Sequence, residues 1–235
     1  MPCNGWRARR AEMASKENQP DAKRILLVDD HPVLRKGLGR MIDSKRDFAV
    51  CGEAGNADQA MVLMRELKPD LVIVDIGLPG ASGIDLTKTI RAEFQQVPIL
   101  VLSMHEEALY ATRALRAGAT GYIVKQDAVE NIAAAMTDAL AGTRYISPVV
   151  GAQMNMNGNE VGLQADEPTA ILSDRELEIF ELIGKGHEVA DISTALRLSP
   201  KTVETHRTNI KEKLKLKNAR QVARLAVQWV DRHSG

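Results

Sequence analysis

Residues 71–80 read LVIVDIGLPG, and the architecture follows from them. Four aliphatic residues, Leu71 to Val74, run into a carboxylate, Asp75. Gly77, Pro79 and Gly80 then end the run. A short, wholly apolar run closed by turn residues is how a strand covered on both faces reads. Working outward, four more runs share this character: Ile25–Val28, Phe48–Cys51, Ile99–Leu102 and Tyr122–Val124. Amphipathic stretches lie between and after them, near 33–43, 57–67, 84–93, 106–117 and 128–141. Strands that alternate with helices in this way predict a parallel sheet with helices on both faces.

Five such units between residues 23 and 142 match a flavodoxin-like, doubly wound, five-stranded parallel sheet. The chain has 235 residues, 44% hydrophobic and 26% charged, which excludes a disordered or collagenous protein. Cys3 and Cys51 are too few for a disulfide framework or a cysteine zinc site, and fit a reducing cytoplasm. No aliphatic run approaches the roughly 20 residues that a membrane span needs. Arg7, Arg9 and Arg10 have no apolar segment behind them, so residues 1–22 are an extension outside the fold rather than a secretory signal. Aromatic residues at 3% argue against a stacking platform for single strands.

The overall charge of zero conceals an asymmetry. Residues 21–142 carry 14 basic and 17 acidic groups, whereas Arg197 to Arg224 holds 9 basic and 2 acidic ones. A concentrated basic segment suits contact with nucleic acid, and equally suits a solvated lysine-rich face. Residues 143–170 show no sustained period and include Asn155, Asn157, Gly158, Asn159 and Pro168, which predicts a linker. From 171 to 235 the pattern is helical only. Ser173 with Glu176 forms a capping box for a helix reaching about Gly184, and a second helix runs from Glu188 to Leu196. Ser199 and Pro200 open a third helix that reaches about Leu216, and Asn218 caps a fourth. On a helical wheel, Val203, Ile210 and Leu214 form the buried stripe of the third helix. Lys201, Thr205, Thr208 and Glu212 lie opposite, a face suited to a major groove behind a helix-turn-helix.

In an open parallel sheet, ligands bind at the carboxyl ends of the strands. Here those ends carry Asp29 and Asp30, Asp75, Ser103 and Lys125. Three carboxylates on one rim repel one another unless a cation joins them, and a hard, oxygen-seeking ion such as Mg²⁺ suits them. One carboxylate is then placed to attack phosphorus and form an aspartyl phosphate, with Ser103 and Lys125 holding the oxygens.

These residues also carry a family resemblance. Val28-Asp29-Asp30-His31, Val74-Asp75-Ile76-Gly77-Leu78-Pro79-Gly80, Ser103 and Gly118-Ala119-Thr120-Gly121-Tyr122-Ile123-Val124-Lys125 resemble the receiver domain of two-component response regulators. The resemblance implies that Asp75 accepts phosphate from a sensor histidine kinase. It implies that Asp29, Asp30, Asp75 and the Gly77 carbonyl hold Mg²⁺, and that Ser103, Lys125 and Tyr122 sense the phosphoryl group. Gln126 replaces the proline many receivers carry after the lysine, which argues against a cis peptide there. Gly77 and His105 stand where receivers vary and tune phosphate lifetime.

Leu172-Ser173-Asp174-Arg175-Glu176, residues Ser199 to Arg207, and Lys213-Leu214 likewise resemble the LuxR-type helix-turn-helix. Together the two halves resemble a response regulator of the NarL/FixJ subfamily. That resemblance implies base contacts from Glu204, Thr205 and Thr208. It implies phosphate contacts from Lys201, Thr202, Arg207, Lys211 and Lys215. It pairs Val222, Leu225, Ala226 and Trp229 with a second copy in a dimer bound to paired half-sites on double-stranded DNA. The expected protein is a cytoplasmic transcription factor, not an enzyme, in which phosphate on Asp75 frees the helix-turn-helix. A regulator that ignores phosphate or binds protein is the alternative. Phosphatases of the haloacid dehalogenase type also phosphorylate a strand-end Asp, but need a second Asp two residues on, where this chain has Gly77.

Overall fold

The computed structural model describes residues 22–104, 108–156 and 168–233. The expected N-terminal extension (save its last residue), His105 and the middle of the expected linker lie outside the described residues.

The N-terminal α/β domain is built from β1 (Lys23–Val28), α1 (Pro32–Asp43), β2 (Phe48–Ala54), α2 (Ala57–Leu67), β3 (Leu71–Asp75), α3 (Gly83–Glu93), β4 (Ile99–Ser103), α4 (Ala108–Arg116), β5 (Gly121–Val124) and α5 (Lys125–Leu140). β6 (Tyr145–Ile146) and α6 (Pro148–Met156) follow. All strands are parallel, in the order β2-β1-β3-β4-β5-β6. The order reverses between β1 and β3, which opens a crevice at their carboxyl ends.

Strand residues alternate between two apolar layers, because successive side chains point to opposite faces. Leu26, Val28, Val72, Val74, Val101 and Tyr122 pack beneath α2, α3 and α4 with Met64, Ile90 and Tyr110. Ile25, Leu27, Ile73, Leu100, Leu102 and Ile123 pack beneath α1 and α5 with Ile42, Ile132 and Met136. β3 and β4 are buried along their whole length.

The sheet has six strands, where the sequence pattern predicts five. Tyr145 and Ile146 pair beside Gly121 and Tyr122. Ser147 locks the junction: its N–H donates to the Tyr122 carbonyl (3.0 Å) and its Oγ accepts from the Val124 N–H (3.0 Å). α6 then lowers Val150 into the core. The first half of the expected linker, up to Met156, therefore belongs to the α/β domain. A two-residue strand and a helix without a polar face give no period to read.

The C-terminal domain contains α7 (Pro168–Ile171), α8 (Asp174–Gly184), α9 (Val189–Ala195), α10 (Pro200–Lys213) and α11 (Ala219–His233). The capping box at Ser173 and Glu176 is formed. The Ser199 hydroxyl accepts from the Thr202 N–H (3.0 Å), and the Asn218 side chain from the Gln221 N–H (3.0 Å). α8 is the central helix. Phe180 meets Trp229 of α11 with ring centroids 6.0 Å apart. A Cβ on Gly184 would lie 2.5 Å from the Ala226 carbonyl oxygen, so only glycine allows α8 and α11 this close.

The two domains pack together. Leu109 of α4 joins the core of the helical domain with Leu172, Leu177 and Phe180.

Candidate functional site

The carboxyl-end crevice gathers the residues expected there. Asp29 and Asp30 follow β1, Asp75 ends β3, Ser103 ends β4, and Lys125 opens α5 directly after β5; all are buried. The Lys125 Nζ donates to Asp75 Oδ2 at 2.7 Å and to Asp29 Oδ2 at 2.9 Å. Gly77 N–H donates to Asp75 Oδ1 at 3.3 Å. Burial raises the Asp75 carboxyl above its usual range; Lys125 opposes that rise and Asp29 adds to it. Burial alone would lower the Lys125 ammonium, but Asp75 and Asp29 outweigh it and hold its pKa above the ordinary lysine value. α3 sits so close to the end of β3 that a Cβ on Gly83 would overlap the Asp75 carbonyl oxygen. Tyr122 is fully buried in the layer that holds Tyr110. It is already inside the core.

His31, quoted in the sequence as part of the Val28-Asp29-Asp30-His31 motif but given no role there, joins the site. Oxygen or nitrogen atoms of Asp29, Asp30, His31 and Asp75 all lie within 4.8 Å of one another. The His31 side chain is 51% exposed, and its Nδ1 stands 2.7 Å from Asp30 Oδ1. Among the described residues that buried oxygen has no hydrogen-bond partner. A carboxylate oxygen left unsatisfied among three buried acids is what a hard divalent cation relieves, so these residues fit Mg²⁺.

The second group lies on α10, except Lys215, which falls two residues past the helix's last residue, Lys213, where the sequence pattern carries the helix on to about Leu216. Val203 and Ile210 are buried as the stripe requires. Lys201, Glu204, Thr205, Thr208 and Lys215 are exposed, while Thr202, Arg207 and Lys211 are half-buried. Their contacts are local. Thr205 and Thr208 donate to carbonyls one turn back, those of Lys201 and Glu204 (both 3.0 Å), and Arg207 pairs with Glu204 at 2.9 Å. His206 faces inward, and burial together with Arg175 holds its pKa below the usual value.

The residues expected to pair two copies are placed differently. Val222, Ala226 and Trp229 are buried in their own domain's core, and Leu225 is half-buried against it. The apolar stripe of α11 is used up by α8. The exposed side of α11 presents Val227, at 42% exposure, with Arg224, Gln228 and Asp231.

A third constellation, also missed by sequence, joins the domains. Asp174 at the start of α8 is buried and pairs with Lys88 of α3 (3.0 Å) and with Arg113 of α4. Arg113 also donates to the Leu172 carbonyl (3.0 Å), and Tyr110 donates to Glu181. At the other end, Arg197, in the turn before α10, reaches Asp30. Its Nη1 is 2.9 Å from both the Asp30 carbonyl oxygen and Oδ2. The α/β domain thus holds α8 and the α9–α10 turn, and leaves the outer face of α10 exposed.

Comparison with known proteins gives the family. The profile described as "Response regulator receiver domain" matches residues 25–137. That described as "Bacterial regulatory proteins, luxR family" matches 170–226. Response regulator GacA of Pseudomonas aeruginosa is 37% identical over 205 residues, spanning 87% of this chain and 95% of that protein. The crystal structure of a LuxR-family two-component response regulator from Aurantimonas sp. SI85-9A1 is 38% identical with a TM-score of 0.57, covering 59% of this chain and 99% of that one. RcsB from Salmonella enterica serovar Typhimurium, solved on promoter P1flhDC with BeF3−, shares the fold at 22% identity and a TM-score of 0.57, covering 87% of this chain and 98% of that one. No helix among the described residues is long and apolar enough to cross a membrane. The chain belongs to the response regulators of the NarL/FixJ subfamily, with a receiver domain joined to a LuxR-type DNA-binding domain.

Proposed function

We propose that Asp75 is the phosphoacceptor of a cytoplasmic transcription factor and that its phosphorylation loosens the receiver from the DNA-binding domain. The observation that carries this reading is Lys125 clasping Asp75 and Asp29 at a crevice whose other acid, Asp30, holds the C-terminal domain through Arg197. A phosphohistidine on a sensor kinase is the fitting donor. An Asp75 oxygen forms the new bond to phosphorus while the N–P bond breaks, and its electron pair leaves with the imidazole. Asp29, Asp30, Asp75 and the Gly77 carbonyl would hold Mg²⁺, which supplies positive charge against the phosphoryl oxygens when bound. Lys125 supplies a second, fixed positive charge, and the buried Ser103 hydroxyl stands at the neighbouring strand end, where a phosphoryl oxygen needs a donor. This is a regulator rather than a phosphatase, because Gly77 has no side chain to serve as the acid needed at that position.

Release changes what the DNA-binding domain can assemble into. The exposed face of α10 makes simple occlusion a poor account of control. Fixing α8 and the α9–α10 turn against the receiver instead restricts how two copies align on paired half-sites. Lys201, Thr202, Arg207, Lys211 and Lys215 then hold phosphates while Glu204, Thr205 and Thr208 face base edges. The dimer contact is drawn from the exposed side of α11 around Val227, and Leu225 contributes its exposed part.

Labelled acetyl phosphate with Mg²⁺ tests the chemistry. The wild-type protein should take up label, and Asp75→Asn should take up none. Equal labelling of the two would overturn the assignment.

A further inference from the structure

Arg197 is a residue of the DNA-binding domain seated at the edge of the receiver's acidic crevice. Its guanidinium makes two contacts with one residue, at 2.9 Å to Asp30 Oδ2 and 2.9 Å to the Asp30 carbonyl oxygen. Asp30 belongs to the cluster whose ligand atoms lie within 4.8 Å of one another, with Asp29, His31 and Asp75. Arg35 donates to the Asp29 carbonyl, and Lys125 bridges Asp29 and Asp75, so both those acids have cations supplied by the receiver itself. At Asp30, where the receiver offers the His31 imidazole on Oδ1, the guanidinium on Oδ2 comes from the other domain, 167 residues along the chain. The Arg197 side chain is 46% exposed, whereas that of Asp30 is 5% exposed, so the arginine can leave without unfolding anything around it.

We propose that Arg197 is a tethered counter-ion that competes with the divalent cation for Asp30, so that metal loading of the receiver and release of the DNA-binding domain are thermodynamically coupled. This rests on the metal site and on the release argued above, and adds a physical link between them. Two cations do not share one carboxylate at full strength, so each weakens the other's hold. Coupling is reciprocal: the factor by which Mg²⁺ loosens domain contact is the factor by which domain contact weakens Mg²⁺. The same seam is closed at its far end by Asp174 with Lys88 and Arg113, so weakening that end shifts the equilibrium toward separated domains, in which Asp30 is free of Arg197.

The test is calorimetric titration of full-length protein with Mg²⁺, with small-angle scattering on the same samples. Arg197→Asn removes the guanidinium and suits the left-handed backbone at this position (φ 49). It should bind Mg²⁺ tighter by about 5-fold or more, a typical coupling between sites, and scatter as a more open particle without metal. Asp174→Asn separates competition from simple charge. It deletes a negative charge, which on electrostatics alone weakens cation binding, yet by opening the seam it should strengthen it. Tighter Mg²⁺ binding in both variants supports the coupling. Tightening in Arg197→Asn alone reduces the effect to local charge and overturns it, as does no change in either. If both fail while beryllofluoride still raises DNA affinity, only the Arg197 link falls and the regulatory reading stands.

Discussion

The buried carboxylates Asp29 and Asp75 take their ammonium from far along the chain, while Thr205, Arg207 and Thr208, on the outer side of α10, are held by partners one turn away. Asp29 and Asp75 meet Lys125 across 96 and 50 residues. Thr205, Arg207 and Thr208 meet residues three or four positions back. The crevice is therefore made by the tertiary fold and is buried with its charges already opposed. α10 is made by its own caps and stripe, and its outward groups hold weak local bonds that a phosphate or base edge can replace. One region is preorganised for chemistry; the other is left adaptable for a partner.

That contrast breaks if substitutions in the two regions behave alike. The largest effect belongs to Asp75→Asn, which should lose phosphoryl uptake completely while remaining folded, as labelling and a thermal melt would show. Next is Lys125→Ala. It leaves Asp29 and Asp75 buried without their cation, which costs about 3–5 kcal/mol in stability by denaturant unfolding. Saturating Mg²⁺ should recover part of that loss, because the metal supplies the missing charge. Gly184→Ala tests packing rather than charge. Forcing α8 from α11 should cost about 1–3 kcal/mol, read in the same experiment.

A smaller effect concerns His206. Its pKa in the folded domain is below the unfolded value, through burial first and Arg175 next, with Lys213 adding and Glu176 opposing. The unfolded chain therefore takes up the proton at higher pH than the folded one. Stability from this group is present above its unfolded pKa, about 6.5, and is lost as pH falls through that value toward the folded one. His206→Gln should flatten the pH dependence of the melting temperature over that window. The smallest change in stability, within about 0.5 kcal/mol, should come from Lys215→Ala. Its effect should appear instead in DNA binding, where the salt dependence weakens by about one ion. A stability loss of several kcal/mol there would erase the contrast between the regions.

The crevice was legible in the sequence because a parallel sheet brings every strand's carboxyl end to one edge. Once the apolar runs are placed, Asp29, Asp30, Asp75, Ser103 and Lys125 fall together without further information. The caps at Ser173, Ser199 and Asn218 were legible because capping is a local, three-residue matter. His31 was harder, since a residue after the strand gains its role only from where the α1 cap turns it. Tyr145–Ile146 and α6 carry too little period to announce themselves. Asp174, Tyr110 and Arg197 could not be read, because their partners depend on how the two domains dock. The stripe on α11 was real, but periodicity reports an apolar face without saying whether it meets another helix of the same chain or of a second one. Here Gly184 brings α8 against it.

Everything above turns on phosphate at Asp75 governing DNA contact. The most direct measurement is the affinity of wild-type and Asp75→Asn protein for genomic DNA fragments, each with and without beryllofluoride plus Mg²⁺. Wild-type protein should bind more tightly and with fragment selectivity in beryllofluoride, and Asp75→Asn should not respond. Wild-type affinity that is the same in both conditions would contradict control by phosphate.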